Sequence, residues 1–207
     1  MRTVLSLFVF LFALCLPCLS QTKLSEAQHK QVLDKIDAAA QTMKTMQCDF
    51  NQTKHMKLLS KDLLSKGKMY FKAPDKLRWQ YTTPYDYTFI MSGGKVSLND
   101  KQIDVQKNKM FRQITSIILG SITGGGLKSS ANFTVEMYKA DNGYFAKLYP
   151  KKKEVKQVYQ VIEVYFNAAL TMVSSVKMVE KTGDTTTVTL SNTKNNVSIE
   201  ESLFSIR

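Results

Sequence analysis

Residues 67–81 read Gly67-Lys68-Met69-Tyr70-Phe71-Lys72-Ala73-Pro74-Asp75-Lys76-Leu77-Arg78-Trp79-Gln80-Tyr81. On either side of the Ala73-Pro74-Asp75 segment, every second position is apolar or aromatic. A period of two, interrupted by a proline-containing turn, is typical of two half-buried antiparallel strands. This hairpin predicts a mainly β fold.

The same period continues on both sides of the hairpin. Upstream it begins at Gln47, and downstream Tyr85, Tyr87, Phe89 and Met91 share one face. Further strands are predicted at Phe133–Lys139, Tyr144–Tyr149, Val158–Phe166, Met172–Glu180 and Thr185–Asn192. About ten strands with two or three helices predict one large, curved antiparallel sheet in a single domain.

Two helices are predicted beside these strands. The first spans Leu24–Met46, where apolar residues recur every three or four positions and Ser25 with Gln28 can form a capping box. The second spans Met110–Ile122 and ends at Gly124-Gly125-Gly126. Its wide isoleucine stripe and glycine hinge are typical of a lid that covers an apolar cavity.

Residues 1–20 have the pattern of a secretory signal peptide, with Arg2 before an apolar run and cleavage expected near Ser20. A lipid anchor at Cys15 or Cys18 is the alternative, although neither cysteine follows a small residue. Residues 21–207 then form the exported domain. The signal holds one of the 29 basic residues and none of the 17 acidic ones, so the domain keeps a net charge of +11. That excess favours anionic partners.

The sequence lacks the usual arrangements of catalytic and metal-binding residues. It has two histidines and three cysteines, and no Gly-x-Ser-x-Gly elbow or phosphate-binding loop is present. Cys48, the one cysteine outside the signal, is expected to be a small buried apolar residue. We therefore expect a carrier or binding protein rather than an enzyme, with no cofactor, no metal and no nucleic-acid partner.

Four segments in order carry a resemblance to a known family. Residues 46–53 contain Phe50-Asn51-Gln52, the 67–81 hairpin follows, and Thr83-Pro84 and Ser92-Gly93-Gly94-Lys95 come next. Together they resemble the periplasmic outer-membrane lipoprotein carrier family (LolA-like). The likeness is strong over residues 30–100, and beyond them it extends only to the layout of the chain.

The resemblance implies an incomplete antiparallel β-barrel wrapped around an apolar cavity, with helices as its lid. It also implies a monomeric periplasmic chaperone that receives acylated lipoproteins from an inner-membrane exporter. The chaperone would carry their acyl chains towards the outer membrane. The sequence does not decide whether an outer-membrane acceptor is a further partner. A sensor or regulator of the same fold, which binds lipid or protein without shuttling, is the alternative.

The resemblance places Leu77 and Trp79 at the mouth of the cavity, with Arg78 as their basic neighbour. The family's lid-latching arginine is absent, because Ala73 occupies its position and Lys72, one residue earlier, is predicted to point to the other side of the strand. The residues predicted to line the acyl-chain cavity are Met69, Phe71, Leu77, Trp79, Tyr87, Phe89, Met91, Phe111, Ile114, Ile117 and Ile118.

Overall fold

The predicted hairpin forms as two strands, β3 (Leu63–Lys72) and β4 (Lys76–Thr83), in which Phe71 pairs with Leu77 and Met69 with Trp79. These positions come from a computed structural model that describes residues 21–103, 120, 126–128, 130–141 and 143–206. The predicted signal peptide, residues 1–20, lies outside the described residues, as does most of the predicted lid helix.

Within the described residues, twelve strands form one antiparallel sheet. The other ten strands are β1 (Thr22–Lys23), β2 (Thr45–His55), β5 (Tyr87–Ser92), β6 (Lys95–Leu98), β7 (Lys101–Ile103), β8 (Phe133–Ala140), β9 (Gly143–Pro150), β10 (Tyr159–Phe166), β11 (Val173–Glu180) and β12 (Thr185–Asn195). The helices of the described residues are α1 (Glu26–Thr42), α2 (Lys153–Val158) and a 3₁₀ helix (Glu201–Phe204).

The strand order is β1-β8-β9-β10-β11-β12-β2-β3-β4-β5-β6-β7. Two meanders, β2 to β7 and β8 to β12, are therefore joined where β12 pairs with β2. The sheet is open, with β1 and β7 at its two edges. This confirms the predicted mainly β, antiparallel and incompletely closed fold.

Helix α1 begins as predicted, with Ser25 and Gln28 forming a reciprocal capping box. Its predicted end at Met46 is wrong, because Thr45 and Met46 already pair with Lys72 and Phe71 of β3. The predicted strand start at Val158 is also displaced, since residues 153–158 form α2.

Buried apolar side chains form two separate clusters. The first packs α1, through Val32, Leu33 and Ile36, against residues of β8 to β11. The second, which we call the β2–β6 cluster, is built on β2 to β6 with contributions from β12 and the end of α1. Its buried members are Met43, Met46, Cys48, Phe50, Met69, Phe71, Leu77, Phe89, Met91, Val96 and Val188.

A close approach inside the β2–β6 cluster requires a glycine. The ring of Phe50 lies over Gly67, where an added Cβ would meet Phe50 Cζ at 2.6 Å and the carbonyl oxygen of Gln80 at 2.0 Å. Real Cβ atoms do not approach backbone oxygens so closely. Any larger residue at position 67 must therefore separate β3 from β4 or displace the Phe50 ring.

The chain after β12 covers part of the sheet face opposite the β2–β6 cluster. Asn196 Oδ1 accepts a hydrogen bond from the backbone N–H of Lys44 at 2.8 Å, and Phe204 is buried. Arg78 Nη1 donates to the carbonyl oxygen of Leu203 at 3.3 Å. Since Arg78 alternates with Leu77, these contacts lie on the other side of β4. We call residues 196–204 the C-terminal clasp.

Glu201 fixes the clasp to the 73–75 turn. Its two carboxylate oxygens lie 2.5 Å from Lys72 Nζ and 2.6 Å from Lys76 Nζ. The hydrogen bonds from Lys72 and Lys76 lower the pKa of Glu201 to about 2. The carboxylate is therefore charged in the folded protein at any ordinary pH.

We expect Glu201→Gln to lower the thermal unfolding temperature at neutral pH but not near pH 2. The folded-state pKa lies below the ordinary value of 4.5, so the ion pairs stabilise the fold above pH 4.5. Their contribution is lost as the pH falls through about 4.5 to about 2. Unfolding temperatures measured across this range check the prediction. Glu200→Gln, one residue away, is the matched control, and an equal effect of both variants at neutral pH would contradict it.

We expect Gly67→Ala to destabilise the protein by about 3 kcal/mol or more, because the new Cβ overlaps backbone and a buried ring. Gly94→Ala is the control, since Gly94 has a positive φ of 73° but no atom within 4 Å of an added Cβ. Its cost should be only about 1 kcal/mol, from backbone strain. Urea unfolding measures the free energy of unfolding of both variants. An equal loss of stability in the two would contradict the close approach of Phe50 and Gln80 to Gly67.

Candidate functional site

The described part of the predicted cavity lining lies on one face of three neighbouring strands. Register places Phe71, Leu77 and Met91 in one row across β3, β4 and β5, and Met69, Trp79 and Phe89 in the next. Tyr81 and Tyr87 form a third row. The structure thus brings together all seven of the predicted cavity-lining residues that it describes.

The third row is less buried than the first two, in the second of which Met69 is fully buried. Leu77 is fully buried and Phe71 and Met91 are nearly so, whereas Trp79 is half-buried. Tyr87 is 38% exposed. The face is therefore closed near the 73–75 turn and open towards the other end of the strands, where Tyr87 forms its rim.

Aromatic rings continue this face from the core to the rim. The centroid of Phe50 lies 4.3 Å from that of Trp79 and 5.1 Å from that of Tyr81, and Tyr81 lies 6.1 Å from Tyr87. Sequence reasoning did not include Phe50 or Tyr81 in the site. The signal was present, since Phe50 belongs to the quoted motif and Tyr81 continues the alternation of Leu77 and Trp79.

The titratable groups on this face are neutral at ordinary pH. Burial raises the pKa of Cys48 to about 12, so its thiol stays protonated and behaves as a small apolar group, as predicted. Burial also raises the pKa of Tyr81, whose hydroxyl donates to Gln52 Oε1 at 3.0 Å. An apolar, aromatic and uncharged surface of this kind can bind hydrocarbon chains.

The cationic groups of β3 and β4 lie on the opposite face. Arg78 Nε donates to Gln80 Oε1 at 3.3 Å, and Lys72 is engaged with Glu201. The prediction that Lys72 points away from the apolar face is confirmed, and its partner is the C-terminal clasp. Ala73 donates its backbone N–H to the carbonyl oxygen of Lys44 at 2.8 Å and borders an open cleft of about 500 Å³.

The predicted lid residues Phe111, Ile114, Ile117 and Ile118 lie outside the described residues. The chain just after the predicted hinge is described. Leu127 is buried in the cluster beneath α1, and Lys128 Nζ lies 2.5 Å from Asp34 Oδ1 of α1. Residues 127 and 128 are therefore held against the helix.

Among the described residues, no three His, Cys, Asp or Glu side chains lie close enough together to hold a metal ion. His55 Nδ1 lies 2.8 Å from Asp62 Oδ1 at the exposed end of β2. In the same part of the chain, no helix has the length and hydropathy to cross a bilayer.

Comparison with known proteins finds one matching family and two related proteins. A family model described as outer membrane lipoprotein carrier protein LolA matches residues 41–207. A protein of Methylococcus capsulatus named outer-membrane lipoprotein carrier protein is 25% identical over 196 residues, 94% of this chain and 92% of that protein. A protein of the same name from Methylibium petroleiphilum is 26% identical over 148 residues, 70% of this chain and 68% of that one.

Among solved structures, the crystal structure of MucB superposes with a TM-score of 0.53 at 8% sequence identity. The superposition covers 87% of this chain and 63% of MucB, and at that identity it shows a shared fold alone. The family match includes β2 to β12, the β2–β6 cluster and the C-terminal clasp, so it covers the whole of the candidate site that the structure describes. The chain therefore belongs to the outer membrane lipoprotein carrier protein LolA family.

Proposed function

We propose that the protein is a periplasmic chaperone that binds the acyl chains of lipoproteins released from the inner membrane and carries them to the outer membrane. The observation that supports this most is the graded apolar face of β3 to β5, which is closed at Leu77 and open at Tyr87. Family membership and the two relatives named outer-membrane lipoprotein carrier protein support the same role.

The size of the hydrophobic effect explains why a carrier needs such a face. Each methylene group transferred from water to an apolar surface contributes about 0.8 kcal/mol. A lipoprotein with chains of about sixteen carbons therefore cannot cross an aqueous compartment at a useful rate unless an apolar surface accompanies it. The rings of Phe50, Trp79, Tyr81 and Tyr87, which contact one another in series, provide that surface.

Release requires that the surface adapt to cargo rather than fit one ligand tightly. Four methionines, Met43, Met46, Met69 and Met91, belong to the β2–β6 cluster. Their unbranched, polarisable side chains repack at low cost around ligands of different shape. Because the nearby thiol and phenol groups are neutral, no charge has to be desolvated when an acyl chain enters.

The lid remains part of this proposal. Phe111, Ile114, Ile117 and Ile118 would cover the apolar face, and the residues after the hinge are held to α1 by Leu127 and by the pair of Lys128 with Asp34. Ala73 offers no side-chain donor and Lys72 is engaged by Glu201. We therefore expect the lid to close through apolar contacts.

Trp79 is the chain's one tryptophan, so its fluorescence reports directly on the candidate site. We expect a triacylated lipopeptide with brominated acyl chains to quench Trp79 emission saturably at micromolar concentration, because bromine quenches only at close range. The same lipopeptide without bromine should bind without quenching and should compete with the brominated form.

A relocated reporter provides the control. In Trp79→Phe/Tyr149→Trp the indole lies on β9, in the other meander, and the brominated lipopeptide should leave its emission unchanged. Equal quenching at both positions, or none at position 79, would contradict the proposed site. Saturable quenching without transfer of lipopeptide to acceptor vesicles would favour a non-shuttling lipid sensor.

A further inference from the structure

Four leucines at one end of the sheet are exposed to solvent. They are Leu58, Leu59, Leu63 and Leu64, in the loop after β2 and the first residues of β3, and Leu58 is 94% exposed. Single exposed apolar residues are ordinary, but four within seven positions form a patch. We call residues 56–64 the leucine tip.

The backbone of the leucine tip is held in place although its leucines are not buried. The N–H of Leu59 donates to the carbonyl oxygen of Met56 at 2.9 Å. His55 and Asp62 pair across its base, and the N–H of Lys57 donates to Asp184 Oδ1 at 3.0 Å. The exposed leucines therefore belong to an ordered projection that is tied to the β11–β12 turn.

Basic residues surround the leucines. Residues 54–66 contain four lysines, at positions 54, 57, 61 and 66, and a single acidic residue, Asp62. Lys54 lies 3.7 Å from Glu180, whereas Lys57, Lys61 and Lys66 are exposed. An apolar tip ringed by positive charge is complementary to a membrane surface rich in anionic headgroups.

A tyrosine belongs to the same end of the sheet. Lys66 pairs with Thr83, and Tyr85 lies in the bend between β4 and β5, just beyond that pair. Tyr85 is 80% exposed. Tyrosine is enriched at membrane–water interfaces, where its ring contacts hydrocarbon and its hydroxyl stays hydrated.

We propose that the leucine tip inserts into the surface of an anionic lipid membrane, with Leu58 foremost and the lysines at the headgroups. The orientation of the leucines favours lipid over a protein groove. Leu63 and Leu64 are consecutive strand residues and point to opposite faces of the hairpin, so the tip is apolar on both sides. A lipid interface can surround such a projection, whereas a folded partner would need a matching socket.

This contact goes beyond the proposed carrier role, since it requires no cargo and does not involve the β2–β6 cluster. The test uses the protein without lipopeptide and vesicles of phosphatidylcholine with or without phosphatidylglycerol. We expect flotation with the anionic vesicles and much weaker flotation with the neutral ones. Binding should weaken as salt rises. The result is independent of Trp79 quenching, so either proposal can fail alone.

Two sets of variants locate the contact. Leu58→Ser should weaken binding at least about tenfold, because it removes the most exposed apolar side chain, while Leu58→Phe should retain it. Lys57→Gln/Lys61→Gln should weaken binding about tenfold or more. Lys152→Gln/Lys153→Gln makes the same change in net charge beside α2 and should have a much smaller effect.

Three results would overturn the proposal. The first is equal binding to neutral and anionic vesicles, which would remove the role of anionic headgroups, or binding to neither, which would leave the tip as a surface for a protein partner. The second is unchanged binding of Leu58→Ser, whose thermal unfolding should match the wild type because Leu58 is almost wholly exposed. The third is an equal loss in the two lysine pairs, which would make the attraction a property of net charge alone.

Discussion

The antiparallel ladder between β2 and β12 joins residues 46–55 to residues 185–195, and most of the other features depend on it. It connects two meanders that would otherwise be separate sheets. It also directs the chain after β12 onto the sheet face opposite the β2–β6 cluster, where Asn196 accepts a hydrogen bond from Lys44. A pairing across such a sequence separation is costly in loop entropy. The buried clusters on both sides of it provide the compensating free energy.

This arrangement gives the two faces of β3 and β4 different tasks. One face carries neutral apolar and aromatic groups from Leu77 to Tyr87. The other face carries Lys72, Lys76 and Arg78. Lys72 and Lys76 form ion pairs with Glu201 of the clasp, and Arg78 donates to the carbonyl oxygen of Leu203. The cationic groups therefore stabilise the closed end of the sheet without introducing charge on the face proposed to bind acyl chains. The closed end can stay rigid while the other end stays accessible.

The sequence predicted local features well and long-range partners poorly. The 67–81 hairpin, the capping box of Ser25 and the burial of Cys48 follow from periodicity and short-range chemistry, and all three are confirmed. The two-residue strand β1 has no pattern of its own, because it exists only through pairing with Lys139 and Tyr138. Alternation predicted the side on which Lys72 lies, but not its partner, since Glu201 is 129 residues away.

The same limit applied to the site. Period-two alternation identified the positions of β3 to β5 that share the apolar face. The contact between the Phe50 and Trp79 rings depends on the β2–β3 register, which no local pattern gives. That register has a further consequence at the open end of the sheet. Tyr87 pairs with Tyr81, and Tyr81 pairs with Gly67. From Gly67, β3 extends back to Leu64 and Leu63, where it begins. The rim of the proposed cargo face and the leucine tip therefore lie at the same end of the same strands. A membrane contact made there would bring the open end of the apolar face, rather than its closed end beside Glu201, towards the lipid into which acyl chains partition.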